Sequence, residues 1–202
     1  MAALLLLLPS RFALIITMND VLQFLIQRNS APKLTTPGPS PAELDEMFAA
    51  AMRAPDHARL RPWRFLTVAG DRREALGALF RSAKQARDPS SDEAGLDKAA
   101  AAPMRAPLLV VVIARLSEHP KVPHVEQRLS AGCAAHGLLL AAETFGYAGV
   151  WRTGDACFDR YVMDGLGLSD HEEIIGFIYL GTRECKPKPL PQMRTADYVT
   201  QW

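Results

Sequence analysis

Apolar residues recur at helical spacing in the first third of the chain. Leu44, Met47, Phe48 and Ala51 lie at i, i+3, i+4 and i+7, which predicts a helix with one buried face. Ser40-Pro41-Ala42-Glu43 precedes them as a capping box with proline at the first helical position. We therefore expect a helix to begin at this point and to end before the next proline.

Short apolar runs predict the strands of a sheet. The run Leu108–Ala114 is continuous and rich in β-branched residues, which is typical of a central strand buried on both faces. Further strands are predicted at Arg64–Ala69 and Glu173–Gly181, with a short strand-like piece framed by glycines at Gly146–Gly154. A nearly apolar helix from about 126 to about 145 indicates burial in the core or in a subunit interface.

Three other segments also predict helices. Val21 to Arg28 carries apolar residues at helical spacing, and Asp71–Glu74 resembles a second capping box. A further helix is expected over Phe158–Leu166. The apolar run before Met18 lacks a basic start and a clear cleavage site, so residues 1–17 are interpreted as an N-terminal extension and 18–202 as the structured domain.

The loop that follows the helix predicted from Ser40–Glu43 carries several positively charged residues. Arg53 lies just before Pro55, and His57, Arg59 and Arg61 lie between Pro55 and Pro62. Arginine can bind phosphate or carboxylate oxygens two at a time. Arginine is paired with a hydroxyl residue at Arg28/Ser30 and again at Arg152/Thr153, as phosphate recognition requires. In the loop, solvated surface arginines are the alternative interpretation. For Arg28 the alternative is a residue near a helix C-terminus that interacts with the helix dipole, and from that residue alone it is the stronger interpretation.

Composition narrows the class of protein. With 202 residues, 49% of them hydrophobic, and a net charge of +1, the chain is expected to form one globular domain without a general attraction to nucleic acid or membranes. The three cysteines form no disulfide or zinc pattern, which favours a reducing compartment, the cytoplasm; Cys133 is expected to be a small core residue. His119, His124 and Glu126 match no common metal site.

Four motifs together carry a resemblance to a known family. Arg28-Asn29-Ser30, Met52-Arg53-Ala54-Pro55-Asp56-His57 with Pro62-Trp63, Gly149–Gly154 and Ile175–Gly181 occur in this order. The combination resembles the FMN-dependent nitroreductase family, in its small single-domain subgroup, from about Met18 to the C-terminus. The resemblance implies an α+β fold in which helices surround a mainly antiparallel sheet, and an intertwined homodimer with FMN at the interface.

The resemblance also implies a chemistry. Family members oxidise NADH or NADPH and reduce nitroaromatics, quinones or related small acceptors by ping-pong hydride transfer through FMN. The flavin does the redox chemistry, so no catalytic side chain is assigned. The residues assigned to FMN are Arg28, Asn29, Ser30, Arg53, His57, Trp151, Arg152 and Thr153. The residues assigned to the nicotinamide cofactor are Ala141, Ala142, Glu143, Thr144, Phe145 and Gly146, for which a buried helix end is the stronger interpretation.

One departure and two alternatives accompany this prediction. The family often has a second arginine where this chain has Asn29, which gives up one charge toward FMN. A flavoenzyme of the same fold with a specialised acceptor, or a non-catalytic flavin- or phosphate-binding module, is also compatible with the residues. A dinucleotide-binding Rossmann enzyme is disfavoured, because no G-x-G-x-x-G follows a predicted strand.

Overall fold

The computed structural model describes residues 4–5, 15–16 and 18–202, which form two units. The first unit contains the described residues up to Asn29 together with Pro187–Trp202, and the second is Ser30–Lys186. The predicted extension, residues 1–17, lies mostly outside the described residues, so its boundary stays a prediction. In the part of the chain that is described, none of the helices has the length and apolar character needed to cross a membrane.

The first unit has little regular structure. Strands β1 (Leu4–Leu5) and β2 (Ile15–Ile16) pair antiparallel, and helix α1 spans Met18–Ile26. The side-chain amide of Asn29 donates a hydrogen bond of 2.7 Å to the carbonyl of Lys188. Asn29, the residue that departs from the family pattern, therefore fastens the C-terminal segment.

A five-stranded antiparallel sheet forms the centre of the second unit. Its strands are β3 (Leu34–Thr35), β4 (Trp63–Ala69), β5 (Leu108–Arg115), β6 (Ala148–Arg152) and β7 (Glu172–Arg183). Strand β5 lies between β4 and β7 and is buried from Leu108 to Ala114, as its continuous apolar run predicts. Strand β7 pairs with β5 on one edge and with β6 and β3 on the other.

Helices cover both faces of this sheet. They are α2 (Pro41–Ala51), α3 (Arg72–Arg87), α4 (Glu93–Ala100), α5 (His124–Thr144), α6 (Asp155–Phe158) and α7 (Arg160–Gly165). Leu108, Val110 and Val112 share a core cluster with residues of α2 and α5. Leu109 and Val111 face the opposite cluster, which includes residues of α3 and α7. The predicted α+β class, with helices surrounding an antiparallel sheet, is confirmed.

The helix predicted at Asp71–Glu74 starts there without its predicted capping bond, and the helix predicted from Phe158 starts later than expected. Ser40 and Glu43 form the expected capping box at α2, but the side chain of Asp71 makes no capping bond at α3. Arg73 binds the carbonyls of Gly70 and Ala106 there instead. The helix predicted over Phe158–Leu166 is broken, because Asp159 leaves helical geometry and caps α7 with its carboxylate.

A buried ion pair connects the starts of β4 and β7. Glu172 is almost fully buried and accepts two hydrogen bonds from Arg64, of 2.7 and 2.9 Å. The amide and the hydroxyl of Ser169 donate to the same carboxylate. The hydrogen bonds from Arg64 are the largest cause that lowers the pKa of Glu172 from its ordinary 4.5 to about 2. Because folding lowers this pKa, the carboxylate stabilises the fold above pH 4.5, and the contribution is lost as the pH falls toward 2.

Glu172→Gln should therefore lower the free energy of unfolding at neutral pH by about 2 kcal/mol, since it leaves Arg64 without its charged partner. Urea unfolding followed by circular dichroism at pH 7 and pH 3 measures the difference from wild type, which should shrink at pH 3. Glu173→Gln is the matched control, because the side chain of Glu173 is 38% exposed, against 7% for Glu172, and its pair with Arg128 should contribute less than about 1 kcal/mol. A difference for Glu172→Gln that does not depend on pH would contradict this account.

Candidate functional site

The positively charged segment 52–62, here called the basic loop, begins where α2 ends. Helix α2 stops at Ala51, and the amides of Arg53 and Ala54 donate to the carbonyls of Ala50 and Ala51 in a closing turn. The helix thus ends before Pro55, as the sequence predicts. Arg53 is exposed immediately beyond this helix end.

Asp56 organises the basic loop from within. Its carboxylate accepts hydrogen bonds from the amides of Leu60, at 2.9 Å, and Arg61, at 3.0 Å. The guanidinium of Arg61 donates to the carbonyl of Arg59 at 2.7 Å and also contacts Asp56. Ala58, Arg59 and Arg61 have φ angles of 58°, 55° and 53°, a left-handed conformation that costs about 1 kcal/mol per residue outside glycine. Arg61 therefore serves to hold the loop, contrary to the expectation that it converges on an anion.

Helix α5 anchors the same loop from outside. The hydroxyl of Ser130 donates to the carbonyl of Pro55 at 2.6 Å, and His57 Nδ1 lies 2.7 Å from a carboxylate oxygen of Glu126. His57 and Glu126 both remain about half exposed. Because Glu126 binds Nδ1, the Nε2 atom of His57 is the ring nitrogen left for a ligand.

A groove of about 590 Å³, here called the loop groove, lies between the basic loop and α5. It is lined by Ala50, Ala51, Arg53, Ala54, Pro55, Arg128, Leu129, Gly132, Cys133, His136, Gly137 and Trp151. The structure thus brings Arg53 together with Trp151, two residues that the sequence predicts to share a ligand. Arg128 is held away from the groove's apolar floor by a bidentate pair with Glu173, at 2.6 and 2.7 Å.

Trp151 owes its position to an irregularity in β7. The register between β5 and β7 shifts so that Ile175 has no partner opposite it on β5. The indole Nε1 of Trp151 donates to the carbonyl of Ile175 at 3.3 Å. The ring then lies over Gly176, where a Cβ atom would come within 2.0 Å of Nε1. Only glycine leaves room for the indole at this point.

A second cavity, here called the basic cleft, opens on the other side of Trp151 and has a volume of about 750 Å³. It is lined by residues of α3 and α4, by the turn Ala102–Arg105, and by the segment 151–156 with parts of β7. The basic side chains in this lining are Lys84, Arg87, Lys98, Arg105 and Arg152. Thr153, the predicted hydroxyl partner of Arg152, is exposed in the same cleft.

Arg152 is the most constrained cation of the basic cleft. Its guanidinium carbon lies 5.5 Å from the ring centre of Tyr179, a cation–π contact. Its Nε atom is buried and, among the residues that the structure describes, finds no hydrogen-bond partner. A buried donor of this kind is costly unless a ligand satisfies it.

The cysteines Cys157 and Cys133 lie in contrasting environments. Burial raises the pKa of the Cys157 thiol to about 12, so it stays protonated. Cys133 is exposed in the loop groove, which corrects the expectation of a core residue. Helix α5 is nearly apolar all round, so its composition alone does not reveal that Cys133 and His136 lie on the face turned away from the sheet.

The segment predicted to meet the nicotinamide forms the end of α5. Ala141 and Ala142 are buried, and the hydroxyl of Thr144 donates to the carbonyl of Ala141 at 2.7 Å. Phe145 and Gly146 close the helix, with Gly146 at a φ of 80°. The shallow groove of about 480 Å³ beside it is lined by Glu46, Ala50, Gly137, Leu140, Ala141, Thr144 and Phe145. The stretch is thus mainly a helix end, the stronger of the two interpretations from sequence.

The predicted phosphate residues near the N-terminus fall in different units. Arg28 and Asn29 belong to the first unit, after α1, and Ser30 begins the second. The structure therefore brings together Arg53, Trp151, Arg152 and Thr153 around two adjoining cavities of the second unit, while Arg28–Ser30 stays a prediction. Sequence reasoning missed the roles of Asp56, Glu126 and the four cations from α3, α4 and the turn after α4, because distant segments bring these residues to the site.

The chain is similar in sequence to known nitroreductases. The model of the Nitroreductase family matches residues 25–182. YdjA of Escherichia coli (strain K12), which its name assigns provisionally as an NAD(P)H nitroreductase, is 39% identical over 179 residues that cover 85% of this chain and 97% of YdjA. A protein of Haemophilus influenzae with the same provisional assignment is 35% identical over 188 residues, covering 90% of this chain and 98% of that protein.

Solved structures share the fold. The nitroreductase-like family protein from Bacillus cereus superposes with a TM-score of 0.78 at 18% identity, covering 94% of this chain and 99% of that one. The FMN and NADPH-dependent nitroreductase NfnB from Sphigopyxis sp. strain HMH has a TM-score of 0.72 at 17% identity, covering 89% of this chain and 97% of NfnB. At these identities the likeness concerns the fold alone.

Gly176→Ala should displace the indole of Trp151, because the new methyl group and Nε1 cannot occupy the space they would share. We expect a loss of about 2 kcal/mol in the free energy of unfolding and a change in tryptophan fluorescence. Gly132→Ala is the matched control: its Cβ would lie 3.7 Å from the far edge of the same ring, and alanine favours the α5 helix. Urea unfolding should show the control to be at least as stable as wild type, and equal losses in both variants would refute the steric account.

Proposed function

Because the chain belongs to the nitroreductase family, we propose that it is an FMN-dependent oxidoreductase that uses NADH or NADPH to reduce nitroaromatics, quinones or related small acceptors in a ping-pong cycle. The observation that carries the proposal is the strand end Trp151–Thr153, which lies between the loop groove and the basic cleft. FMN, when bound, supplies the redox chemistry, taking a hydride from the nicotinamide donor and passing electrons to the acceptor.

The residues present fit a flavin. Arg152 has a buried Nε donor that no described residue satisfies, as expected of a group that binds a polar ligand atom. Trp151 offers a flat ring beside it, fixed by the hydrogen bond to Ile175. We propose that Trp151, Arg152 and Thr153 hold the flavin together with Arg28, Asn29 and Ser30.

The basic loop would complete the site. Arg53 is exposed at the loop groove, and His57 is oriented by Glu126 so that Nε2 can meet a ligand. A loop fixed by Asp56, Glu126 and Ser130 presents these groups in one geometry. This preorganisation is what electrostatic assistance to a charged ligand requires.

We further propose that the protein is a homodimer in which Arg53 and His57 reach the flavin held mainly by the partner. Helix α5 exposes Val125 and Leu129, each more than half exposed, next to the loop groove. Helix α1, in the other unit, exposes Val21, Leu22, Leu25 and Ile26, each about half exposed. Large apolar side chains grouped on a surface favour a protein partner, and a second copy is the partner that the family fold suggests.

The purified protein should be yellow, and its visible flavin absorption should bleach when NADPH or NADH is added without oxygen. Adding a nitroaromatic or a quinone should then restore the absorption, because the acceptor removes the electrons. Stopped-flow absorbance measures both half-reactions. A colourless protein that also fails to take up added FMN would refute the proposal, and a yellow protein that no nicotinamide donor bleaches would indicate a non-catalytic flavin-binding module.

Two arginine variants test the site assignment in the same experiment. Arg152→Ala should retain at least about tenfold less FMN, because a charge-assisted contact is lost from a buried position. Arg160→Ala is the control, since Arg160 pairs with Asp164 at the surface and lies outside both cavities. Equal flavin content in the two variants would remove Arg152 from the site.

Sedimentation of the flavin-loaded protein should give a single species of twice the chain mass. Leu129→Asp places a charge on the exposed face of α5 and should shift the protein toward monomer while its helical circular dichroism is retained. Flavin should be lost in parallel, because the proposed site needs both copies. A monomer that keeps its flavin would contradict the shared site.

A further inference from the structure

The basic cleft is strongly positive, although the chain as a whole is nearly neutral. Five of its lining residues are cationic and only Asp155 is acidic, although the whole chain has a net charge of +1. Arg87 is already neutralised by Asp155, at 2.9 Å, and Asp159, at 2.6 Å. Four cations are left: Lys84, Lys98, Arg105 and Arg152.

These four cations have no carboxylate partner in salt-bridge contact in the part of the chain that the structure describes. They come from α3, α4, the turn Ala102–Arg105 and the end of β6, so separate elements converge on one cavity. Like charges gathered in this way repel one another, and a bound polyanion removes that cost.

We propose that the basic cleft binds the phosphate groups of the nicotinamide donor and that Lys98 and Arg105 recognise its 2′-phosphate, which makes NADPH the preferred donor. This inference rests on the proposed function, and it goes beyond it by naming the donor and the residues that select it. NADPH carries a pyrophosphate and a terminal 2′-phosphate, with a combined charge of about −4 at neutral pH. Lys84, Lys98 and Arg105 are the cleft cations that are not assigned to the flavin, and they offer counter-charges to these phosphates. NADH lacks the 2′-phosphate and leaves part of the cleft unmatched.

The location of the cleft agrees with this role. Trp151 and Thr153, which we assign to the flavin, also line the cleft. A dinucleotide whose phosphates lie among these cations therefore remains next to the flavin. The volume of about 750 Å³ lies within the range of cofactor cavities.

The end of α5 is less suited to phosphate binding. Among the described residues, the groove there is lined by no basic side chain and by one acidic side chain, Glu46. Ala141 and Ala142 are buried beneath it. The carboxylate of Glu46 would repel a bound polyanion there, and no basic side chain would offset that repulsion. The basic cleft is therefore the better phosphate site in the second unit.

Lys98 and Arg105 are the residues to change, because both are exposed and neither side chain forms a hydrogen bond or ion pair with another described residue. In the flavin-loaded protein, the double variant Lys98→Ala/Arg105→Ala should lower kcat/KM about tenfold with NADPH and only about two- to threefold with NADH. Lys121→Ala, an exposed lysine outside the cleft, should change neither value.

A binding measurement separates recognition from turnover. Adenosine 2′,5′-bisphosphate, which carries the phosphates but no nicotinamide, should bind the wild-type holoprotein in calorimetry with an affinity that falls as salt rises. The double variant should bind it about tenfold more weakly while its FMN content stays at the wild-type value. Lys121→Ala should bind it as wild type does.

Three results would overturn the inference. Loss of FMN from the double variant would show that these cations hold the flavin phosphate. Equal losses of kcat/KM with NADPH and NADH would show that the 2′-phosphate is not what they recognise. Unchanged binding of adenosine 2′,5′-bisphosphate would show that the cleft does not bind the dinucleotide phosphates. A wild-type protein that binds the bisphosphate but neither retains flavin nor oxidises NADPH would refute the proposed function and leave the cleft as a phosphate site.

Discussion

Strand β7 supports both the centre of the sheet and the candidate site. One edge of β7 pairs with the buried strand β5, and the other edge pairs with β6, whose end carries Trp151 and Arg152. The shift in register at Ile175 frees a carbonyl for the indole, and the bare Gly176 leaves space for its ring. The wall between the loop groove and the basic cleft is therefore set by the main chain of a central strand, which is among the least mobile parts of a fold.

Helix α5 has a comparable double role. One face supplies Ala134, Ala135 and Leu138 to the core against the sheet, and these residues fix the helix in place. Glu126 and Ser130, near its beginning, bind the basic loop. The basic loop is therefore held in a fixed position relative to the core by a rigid helix. Loops are usually mobile, and such support lets a loop present ligand-binding groups in one geometry.

The sequence predicted those parts of the structure that depend on neighbours along the chain. The buried strand β5 is determined by its own continuous apolar run, and the start of α2 by the capping box at Ser40. Both predictions are confirmed. The bulge at Ile175 and the pairing of His57 with Glu126 depend on contacts between distant segments, which no local pattern records. At Asp71 the local pattern predicted the start of α3 correctly, but the side chain of Asp71 makes no capping bond there.

The left-handed residues of the basic loop have a consequence for ligand affinity. Ala58, Arg59 and Arg61 adopt an unfavourable backbone conformation, and the bonds that Asp56 accepts from the amides of Leu60 and Arg61 hold the loop that contains them. A flexible loop would have to give up conformational freedom each time a ligand bound, and that entropy loss would weaken binding. Because bonds within the basic loop already restrict its backbone, a ligand that binds there would remove little further freedom.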